Sequence, residues 1–380
     1  MKIVITTEEF APSMGYLEFY LAKELTKLGQ KVFIFTFGRN SRVTRTNCGE
    51  GFEVIRLPHF ASINGVHAPK PSGIDYVLKF IKTQKLDVVH CQPLYSPLSL
   101  LFISNQRLSR YKIVGSLITG EYSYSSFSQY LIYIFIKLIT ENYVDSKTAS
   151  YIAINEGFKE VLLRLFKIQN AKIRLIPLGA DSELFKFNNE SRITMRNLLG
   201  LTAKDFVVVY SGKIIQSKEI NLLLEAIAPI IKQNNKVKVL IVGNGDFSYI
   251  NHLKKISLDL QILDNIIFHD QVHRNKLAEF YSASDVAVWP GSVSISILEA
   301  ASVSLPVIVK RSIITKYATA YENGFRFTSG DANDLRKYLE ILICTSKLRR
   351  EMGRKSRLLI TEKLNWLVIA KQFINEYESR

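Results

Sequence analysis

Cysteine is scarce in this 380-residue chain, and its three copies lie far apart. Cys48, Cys91 and Cys344 form neither a CxxC pair nor a metal-ligand spacing. We interpret them as reduced thiols, which predicts a cytoplasmic protein rather than a disulfide-bonded secreted one. The sequence also lacks P-loop, HExxH and GxSxG motifs and any clustered His/Asp set, so we expect no metal site.

Long apolar runs are missing as well. No segment reaches the roughly 18 apolar residues of a membrane-spanning helix, and we interpret MKIVITTEEF as a first strand, not a signal peptide. The longest apolar segment is Tyr130–Ile139, which Lys137 interrupts. Two interpretations stay open for it. It is either a buried or half-buried helix, or a helix that lies against an anionic membrane at the inner face.

Acidic residues are outnumbered, 34 against 50 basic ones, which gives a net charge of +16. Such an excess attracts nucleic acid, anionic lipid or an anionic substrate. Aromatic residues are not interleaved with the basic clusters, and no nucleic-acid module is present, so a phosphorylated or lipid-linked partner is favoured over DNA or RNA. The densest basic stretch, Lys347–Arg357, predicts a solvated helix face.

Short β-branched runs alternate with longer amphipathic segments along the whole chain, and the series starts again after the polar FNNESR stretch that follows Phe185. Continuous apolar runs such as VVVY are typical of parallel strands that are buried on both faces. The pattern predicts two tandem doubly wound α/β domains. Because ligands bind at the carboxyl ends of such strands, we expect a site in a cleft between the two domains.

Several strand-end loops carry candidate ligand-binding residues. Gly15 stands before the first helix, and Gly212 ends a strand ahead of Lys213 and Lys218, whose two charges could neutralise a diphosphate. Gly243 and Gly245 permit a tight turn near a ligand, although they form no GxGxxG motif, which disfavours a nicotinamide enzyme.

Two further loops complete the candidate site. His273 and Arg274 follow one strand, where they could meet a base or a phosphate. The segment Trp289–Ala301 (WPGSVSISILEAA) is a polar loop that enters a helix, and amide groups at such a helix start favour an anion. Glu299 lies in its first turn, where a carboxylate could accept hydrogen bonds from sugar hydroxyls. His90, which ends a strand, is interpreted equally well as a packing or a catalytic residue.

In order along nearly the full length, these segments resemble the family 4 retaining glycosyltransferases of GT-B fold. EEFAPSMGYLEFYLAKELTKLGQKV is similar to the opening P-x-x-G-G loop, LDVVHCQ to the D-x-V-H segment, and IRLIPLGADSELF to the I-P-N-G-V-D linker. SGKIIQSKE resembles G-R-x-x-x-x-K-G, LIVGNGD the G-x-G turn, and WPGSVSISILEAASVSLPVIV the nucleotide-sugar motif.

The resemblance implies a domain order and a role for each matching position. It implies an acceptor-binding domain over residues 1–185, a nucleotide-sugar-binding domain over 186–364, and a helix over 365–380 that crosses back to the first domain. Glu299 matches the glutamate that binds the donor ribose, and Lys213 and Lys218 match the Arg and Lys that contact the diphosphate. The other implied donor-binding residues are Gly15, Gly212, Gly243, Arg274, Ser294, Ile295, Ser296 and Ile297.

The chain also departs from the family pattern. The first motif glutamate, which contacts the transferred sugar, is replaced by Gly291, and the histidine that often ends the strand at Lys112–Ile118 is missing. Glu121 could contact sugar hydroxyls in its place. Met14 replaces the first loop glycine, and Leu178 replaces the linker asparagine.

The sequence therefore predicts a retaining, metal-independent, hexosyltransferase-type enzyme with Lys213, Lys218 and Glu121 as catalytic candidates. We expect a nucleoside-diphosphate sugar as co-substrate, no cofactor, and an acceptor that is a lipid-linked or cell-surface glycan precursor. Two alternatives stay open: a non-catalytic nucleotide-binding relative or scaffold, and a nucleotide-sugar epimerase on the same fold.

Overall fold

The computed structural model describes residues 1–11, 17–60, 66–117 and 127–379. The chain divides into two compact units. Unit 1 comprises Met1–Leu178 and Trp366–Arg380, and unit 2 comprises Gly179–Asn365. Each unit is an α/β sandwich built on its own sheet, which confirms the predicted pair of Rossmann-like domains.

Unit 1 is built on an eight-stranded sheet with the order β3-β4-β2-β1-β5-β6-β7-β8. Its strands are β1 (Lys2–Thr6), β2 (Lys31–Gly38), β3 (Thr44–Asn47), β4 (Glu53–Pro58), β5 (Val88–Cys91), β6 (Lys112–Ser116), β7 (Ser150–Ala153) and β8 (Ile173–Leu175). Its helices are α1 (Leu17–Lys27), α2 (Pro71–Gln84), α3 (Pro97–Ser104), α4 (Phe127–Lys147) and α5 (Glu156–Arg164), with α13 (Trp366–Glu378) from the chain end.

Apolar runs explain why this sheet is parallel. Strands such as β1 and β2 are buried along almost their whole length, so helices must cover both faces of the sheet. The exception is β3, which pairs antiparallel with β4 at the sheet edge. The sequence did not predict β3, because its residues, TRTN, are polar and largely exposed.

Unit 2 is built on a six-stranded, fully parallel sheet with the order β11-β10-β9-β12-β13-β14. Its strands are β9 (Phe206–Ser211), β10 (Val237–Val242), β11 (Ile266–His269), β12 (Val286–Trp289), β13 (Val307–Lys310) and β14 (Gly324–Phe327). Its helices are α6 (Asn189–Leu198), α7 (Ile220–Gln233), α8 (Phe247–Asp259), α9 (Arg274–Ala283), α10 (Ser296–Ser302), α11 (Ala332–Cys344) and α12 (Ser346–Leu359). The strand order reverses between β9 and β12, which is the usual ligand position in such sheets.

The C-terminal helix α13 packs in unit 1. The ring of Trp366 stacks on that of Tyr20 in α1, with 5.4 Å between ring centroids. Residues 179–185, which the sequence assigned to the first domain, pack in unit 2 instead. Arg357 donates hydrogen bonds to the Phe185 and Ser302 carbonyls, so this end of the basic Lys347–Arg357 stretch serves the interior and not only a solvated face.

His90 is a packing residue of the unit 1 core. Its side chain is fully buried, and its ring nitrogens hydrogen-bond the Ser116 hydroxyl at 3.0 Å and the Tyr377 hydroxyl at 2.9 Å. Burial lowers the pKa of His90 to about 3, so the ring is neutral at physiological pH. The contact with Tyr377 connects the strand to α13.

Candidate functional site

The candidate donor-binding residues of unit 2 follow the carboxyl ends of four adjacent strands. Gly212, Lys213 and Lys218 follow β9, Gly243 follows β10, and Arg274 follows β11. The Ser294–Ile297 loop and Glu299 follow β12. Since these strands are parallel neighbours in the sheet, their loops meet at one edge.

Backbone contacts between glycines bring the β9 and β10 loops together. Gly243 has a φ of +153°, and a Cβ atom there would lie 1.9 Å from the Gly212 carbonyl oxygen. At Gly245 a Cβ would lie 2.0 Å from the carbonyl oxygen of Ile214, with which it forms a β-bridge. Both positions therefore require glycine because another backbone segment occupies the space of a side chain.

Lys218 ties the β9 loop to the β12 loop. Its ammonium group donates hydrogen bonds to the carbonyls of Ser292 at 3.0 Å and Val293 at 3.1 Å, and the Ser292 amide donates to the Ser217 carbonyl at 2.9 Å. Lys213 is exposed at the same edge, and its carbonyl accepts a hydrogen bond from the Tyr210 hydroxyl. One cation therefore orders a loop, while the other faces solvent.

Gly291 lies inside this contact. A Cβ atom at this position would lie 2.4 Å from both the Ser217 carbonyl oxygen and the Lys218 carbonyl carbon. Every residue other than glycine has a Cβ atom, so this backbone conformation cannot hold the glutamate that the family pattern has at this position. The glycine at position 291 is what allows the two loops to pack this closely.

Glu299 is the most deeply buried carboxylate of the site. Its side chain is 2% exposed and forms an ion pair with Arg274, whose guanidinium also stacks over the Phe185 ring. Burial raises the pKa of Glu299 to about 7, against the opposing effect of Arg274; Asp181 raises it further. Arg274, for which the sequence predicts contact with a base or a phosphate, pairs with this carboxylate.

Tyr281 is a site residue that the sequence analysis missed. Its hydroxyl lies 2.6 Å from the Ser211 hydroxyl and donates to the Ser296 carbonyl at 3.4 Å. It therefore joins the end of β9 to the start of α10. The residue lies on an apolar helix face in α9, where an aromatic residue is typical of core packing, so no signal in the sequence distinguished it.

The Ser294 hydroxyl donates a hydrogen bond to the Ser296 hydroxyl at 3.1 Å.

Two of the predicted site residues have no described position. Gly15 and Glu121 lie outside the described residues. Within the described part of the chain, no group of three His, Cys, Asp or Glu side chains is arranged to hold a metal ion. Among the same residues, no helix has the length and apolar character to cross a membrane.

Two family profiles match the two halves of the chain. The profile described as Glycosyltransferase Family 4 matches residues 19–184, and the profile of glycosyl transferases group 1 matches residues 191–359. The chain therefore belongs to the glycosyltransferases, with one of the two profiles on each half. The family recognised from the sequence motifs is therefore confirmed.

Curated relatives of this glycosyltransferase differ in what their names describe. An uncharacterized glycosyltransferase of Methanocaldococcus jannaschii is 22% identical and aligns over 100% of the chain and 98% of its own length. Alpha-monoglucosyldiacylglycerol synthase of Streptococcus pneumoniae is 26% identical over 75% of the chain, which spans only 65% of that protein. An Escherichia coli UDP-Gal:alpha-D-GlcNAc-diphosphoundecaprenol alpha-1,3-galactosyltransferase is 26% identical over 70% of the chain and 67% of its own length.

Solved structures share the fold. HepE of Anabaena in complex with UDP covers 100% of both chains with a TM-score of 0.77 at 16% identity. A glycosyltransferase of Rickettsia africae covers 99% of this chain and 97% of its own, also with a TM-score of 0.77, at 14% identity. The GT-B assignment of the glycosyltransferase is confirmed.

We expect Gly291→Ala to destabilise the protein by about 1–3 kcal/mol, because the added methyl group forces apart the backbones of the β9 and β12 loops. Urea unfolding followed by circular dichroism measures this. The matched control is Gly73→Ala in α2, where the nearest atoms lie 3.4 Å or more from the new Cβ. Equal stability of the two variants would contradict the proposed packing.

The raised pKa of Glu299 predicts a pH-dependent stability. The folded protein holds a proton on this group that the unfolded chain releases near its ordinary pKa of 4.5. This contribution is therefore full below about pH 4.5 and is lost as the pH rises through about 7, by about 3 kcal/mol in total.

Comparison with Glu299→Gln isolates that contribution, since the other groups titrate alike in both proteins. The difference in unfolding free energy between the two proteins should change across pH 4.5–7 and stay constant above about pH 8. A difference that is flat across the whole range would show that the carboxylate is not buried as described.

Proposed function

We propose that the protein transfers a hexose from a nucleoside-diphosphate sugar with retention of anomeric configuration. The observation that carries the proposal is the buried Glu299 between the Arg274 guanidinium and the loop that Lys218 holds in place. A buried carboxylate can accept hydrogen bonds from both ribose hydroxyls, and desolvation strengthens such bonds. The UDP complex of HepE, a neighbour in fold, supports a uridine nucleotide as the first donor to test.

The Lys213 ammonium supplies positive charge where the diphosphate leaves. Because it is exposed at the strand edge, it can approach the phosphates as negative charge grows on them. Lys218 acts through the β12 loop, whose Ser294–Ile297 amides would face the phosphates and the donor sugar. In this proposal the donor phosphate accepts the acceptor proton, and the protein orients both substrates without a metal or another cofactor.

Donor binding would also involve the glycines. Gly212 and Gly243 let the β9 and β10 loops approach closely, and we assign to them a place beside the diphosphate. Gly15 and Glu121 are assigned by resemblance alone, to the diphosphate and to sugar hydroxyls. The absence of a carboxylate at Gly291 favours a second candidate, a relative that binds nucleotide without transfer, and the test must separate the two.

A lipid-linked or cell-surface glycan precursor is the proposed acceptor class, met at the inner face of the membrane. Leu131, Phe135 and Leu138 of α4 are 50%, 65% and 69% exposed, and their spacing places them on one helix face. Lys137 points away from them, with its ammonium group on the Leu165 carbonyl and over the Phe166 ring. The names of the pneumococcal and E. coli relatives, which mention diacylglycerol and diphosphoundecaprenol, support a lipid acceptor.

We expect UDP to raise the melting temperature of the protein and Glu299→Ala to abolish that shift, because the alanine removes the acceptor for the ribose hydroxyls. A thermal-shift titration with UDP and a panel of nucleotide sugars measures this. Glu322→Ala is the control, since that carboxylate is largely exposed in the same unit.

Product analysis with the best donor completes the test. Transfer with a retained anomeric centre, seen by NMR and unchanged by EDTA, supports the proposal. Inverted product contradicts the retaining mechanism, and nucleotide binding without turnover supports the non-catalytic relative. Isomerised donor in the absence of any acceptor indicates an epimerase. No shift with any nucleotide would contradict the donor site altogether.

The exposed face of α4 should bind anionic vesicles through its apolar side chains. Flotation with phosphatidylglycerol-containing liposomes should recover the protein, and Leu138→Glu should reduce recovery severalfold. The matched control is Leu258→Glu in unit 2, because Leu258 is 62% exposed. No flotation of the unaltered protein, or equal loss in both variants, would contradict membrane contact through α4.

A further inference from the structure

A second group of titratable side chains lies at the carboxyl edge of the unit 1 sheet and includes none of the candidate donor-binding residues. Glu8 follows β1, His59 follows β4, Phe37 lies near the end of β2, and Ser96 caps the helix after β5. His67 joins them because residues 59–60 and 68–69 pair as a short antiparallel ladder. We call Glu8, His59 and His67 the edge cluster.

The edge cluster is held in a defined geometry. One carboxylate oxygen of Glu8, Oε2, lies 3.0 Å from His67 Nδ1 and accepts a hydrogen bond from the His67 amide at 3.2 Å. The His67 ring stacks on Phe37, at 5.2 Å between centroids, and meets the His59 ring edge to face at 4.5 Å. The Thr36 hydroxyl donates to the Glu8 carbonyl at 3.2 Å, which fixes the backbone after β1.

The other carboxylate oxygen lacks such a partner. Oε1 of Glu8 is buried and accepts no hydrogen bond of normal length from the described residues, although the Ser96 side chain lies near it. A buried acceptor without a donor costs free energy, and such groups are rare unless a ligand or water completes them. The side chains of Glu8 and His67 keep 19% and 13% exposure, so a small ligand can contact the pair, although the Oε1 atom itself has almost no accessible surface.

The chemistry of the edge cluster selects one class of ligand. A carboxylate with a free oxygen accepts hydrogen bonds from hydroxyl groups and repels phosphate. Imidazole rings add polar nitrogen atoms to the same surface. Sugar hydroxyls are donors and acceptors at once and match this set, whereas an anionic headgroup does not.

We propose that the edge cluster is the subsite for a neutral sugar of the acceptor, with Glu8 binding its hydroxyls. The subsite rests on the proposed glycosyl transfer, because it gives unit 1 the substrate that receives the sugar. His67 is a positioning residue, since its ring and amide orient the Glu8 carboxylate. An acceptor that carries a neutral sugar therefore fits this chain better than one whose hydroxyl stands beside a phosphate.

The test measures sugar binding directly on the full chain. Saturation-transfer NMR with methyl α-D-glucopyranoside, methyl β-D-galactopyranoside and methyl N-acetyl-α-D-glucosaminide should detect binding of at least one glycoside. Glu8→Gln should weaken that binding about tenfold or more, because hydrogen bonds to a charged acceptor are the strong ones. UDP affinity, measured by calorimetry on the same samples, should not change.

The matched control is Glu50→Gln, which removes a carboxylate from another ion pair of unit 1, 2.9 Å from Lys23. Its glycoside binding should equal that of the unaltered protein. His59→Gln is the second variant and should weaken binding severalfold, so the test stands even if Glu8→Gln lowers the melting temperature.

The outcomes separate the two proposals. No glycoside binding by the unaltered chain, or equal weakening by Glu8→Gln and Glu50→Gln, overturns the subsite. Glycoside binding that depends on Glu8, in a protein that binds no nucleotide, supports the subsite and contradicts the proposed donor function.

Discussion

The candidate donor site depends on one constraint, the close approach of the loops that follow β10 and β12 to the loop that follows β9. Gly243 faces the Gly212 carbonyl, Gly245 faces Ile214, and Gly291 faces Ser217, each at a distance that leaves no room for a Cβ atom. These contacts hold the loops of β9, β10 and β12 together, with the Lys218 ammonium bound to two carbonyls of the β12 loop. Side chains at this edge, Glu299 among them, are positioned by that backbone.

A carboxylate lies at the carboxyl edge of each sheet, and Glu299 is buried while Glu8 is half-buried. Glu299 in unit 2 is paired with a guanidinium, and Glu8 in unit 1 with an imidazole. Burial raises the pKa of each group, and its partner opposes that shift. Desolvated acceptors of this kind suit ligands rich in hydroxyl groups, such as a ribose or a sugar acceptor.

Much of the fold could be predicted from the sequence, because parallel strands buried on both faces leave continuous apolar runs. The apolar run VVVY, which predicted a parallel strand buried on both faces, lies in β9. The edge strand β3 could not be, since TRTN is polar and its pairing with β4 is a tertiary contact. Motif order was enough to find the family.

The site was predicted less completely than the fold. Motif spacing pointed to Glu299 and Lys218, but not to their partners, because Arg274 and the Ser292 carbonyl approach them only through the strand order. In the sequence, Gly243 and Gly291 cannot be distinguished from any other loop glycine. Only the structure shows that a neighbouring backbone segment leaves no space for a side chain at these positions. The edge cluster escaped for the same reason, since Glu8 and His67 are 59 residues apart along the chain.

A crystal structure of the protein with UDP would show whether Glu299 and the two lysines form a nucleotide-sugar site. We expect electron density with the ribose hydroxyls in hydrogen-bond contact with the Glu299 carboxylate and the diphosphate beside Lys213 and the β12 loop. Nucleotide density away from Glu299 would contradict it.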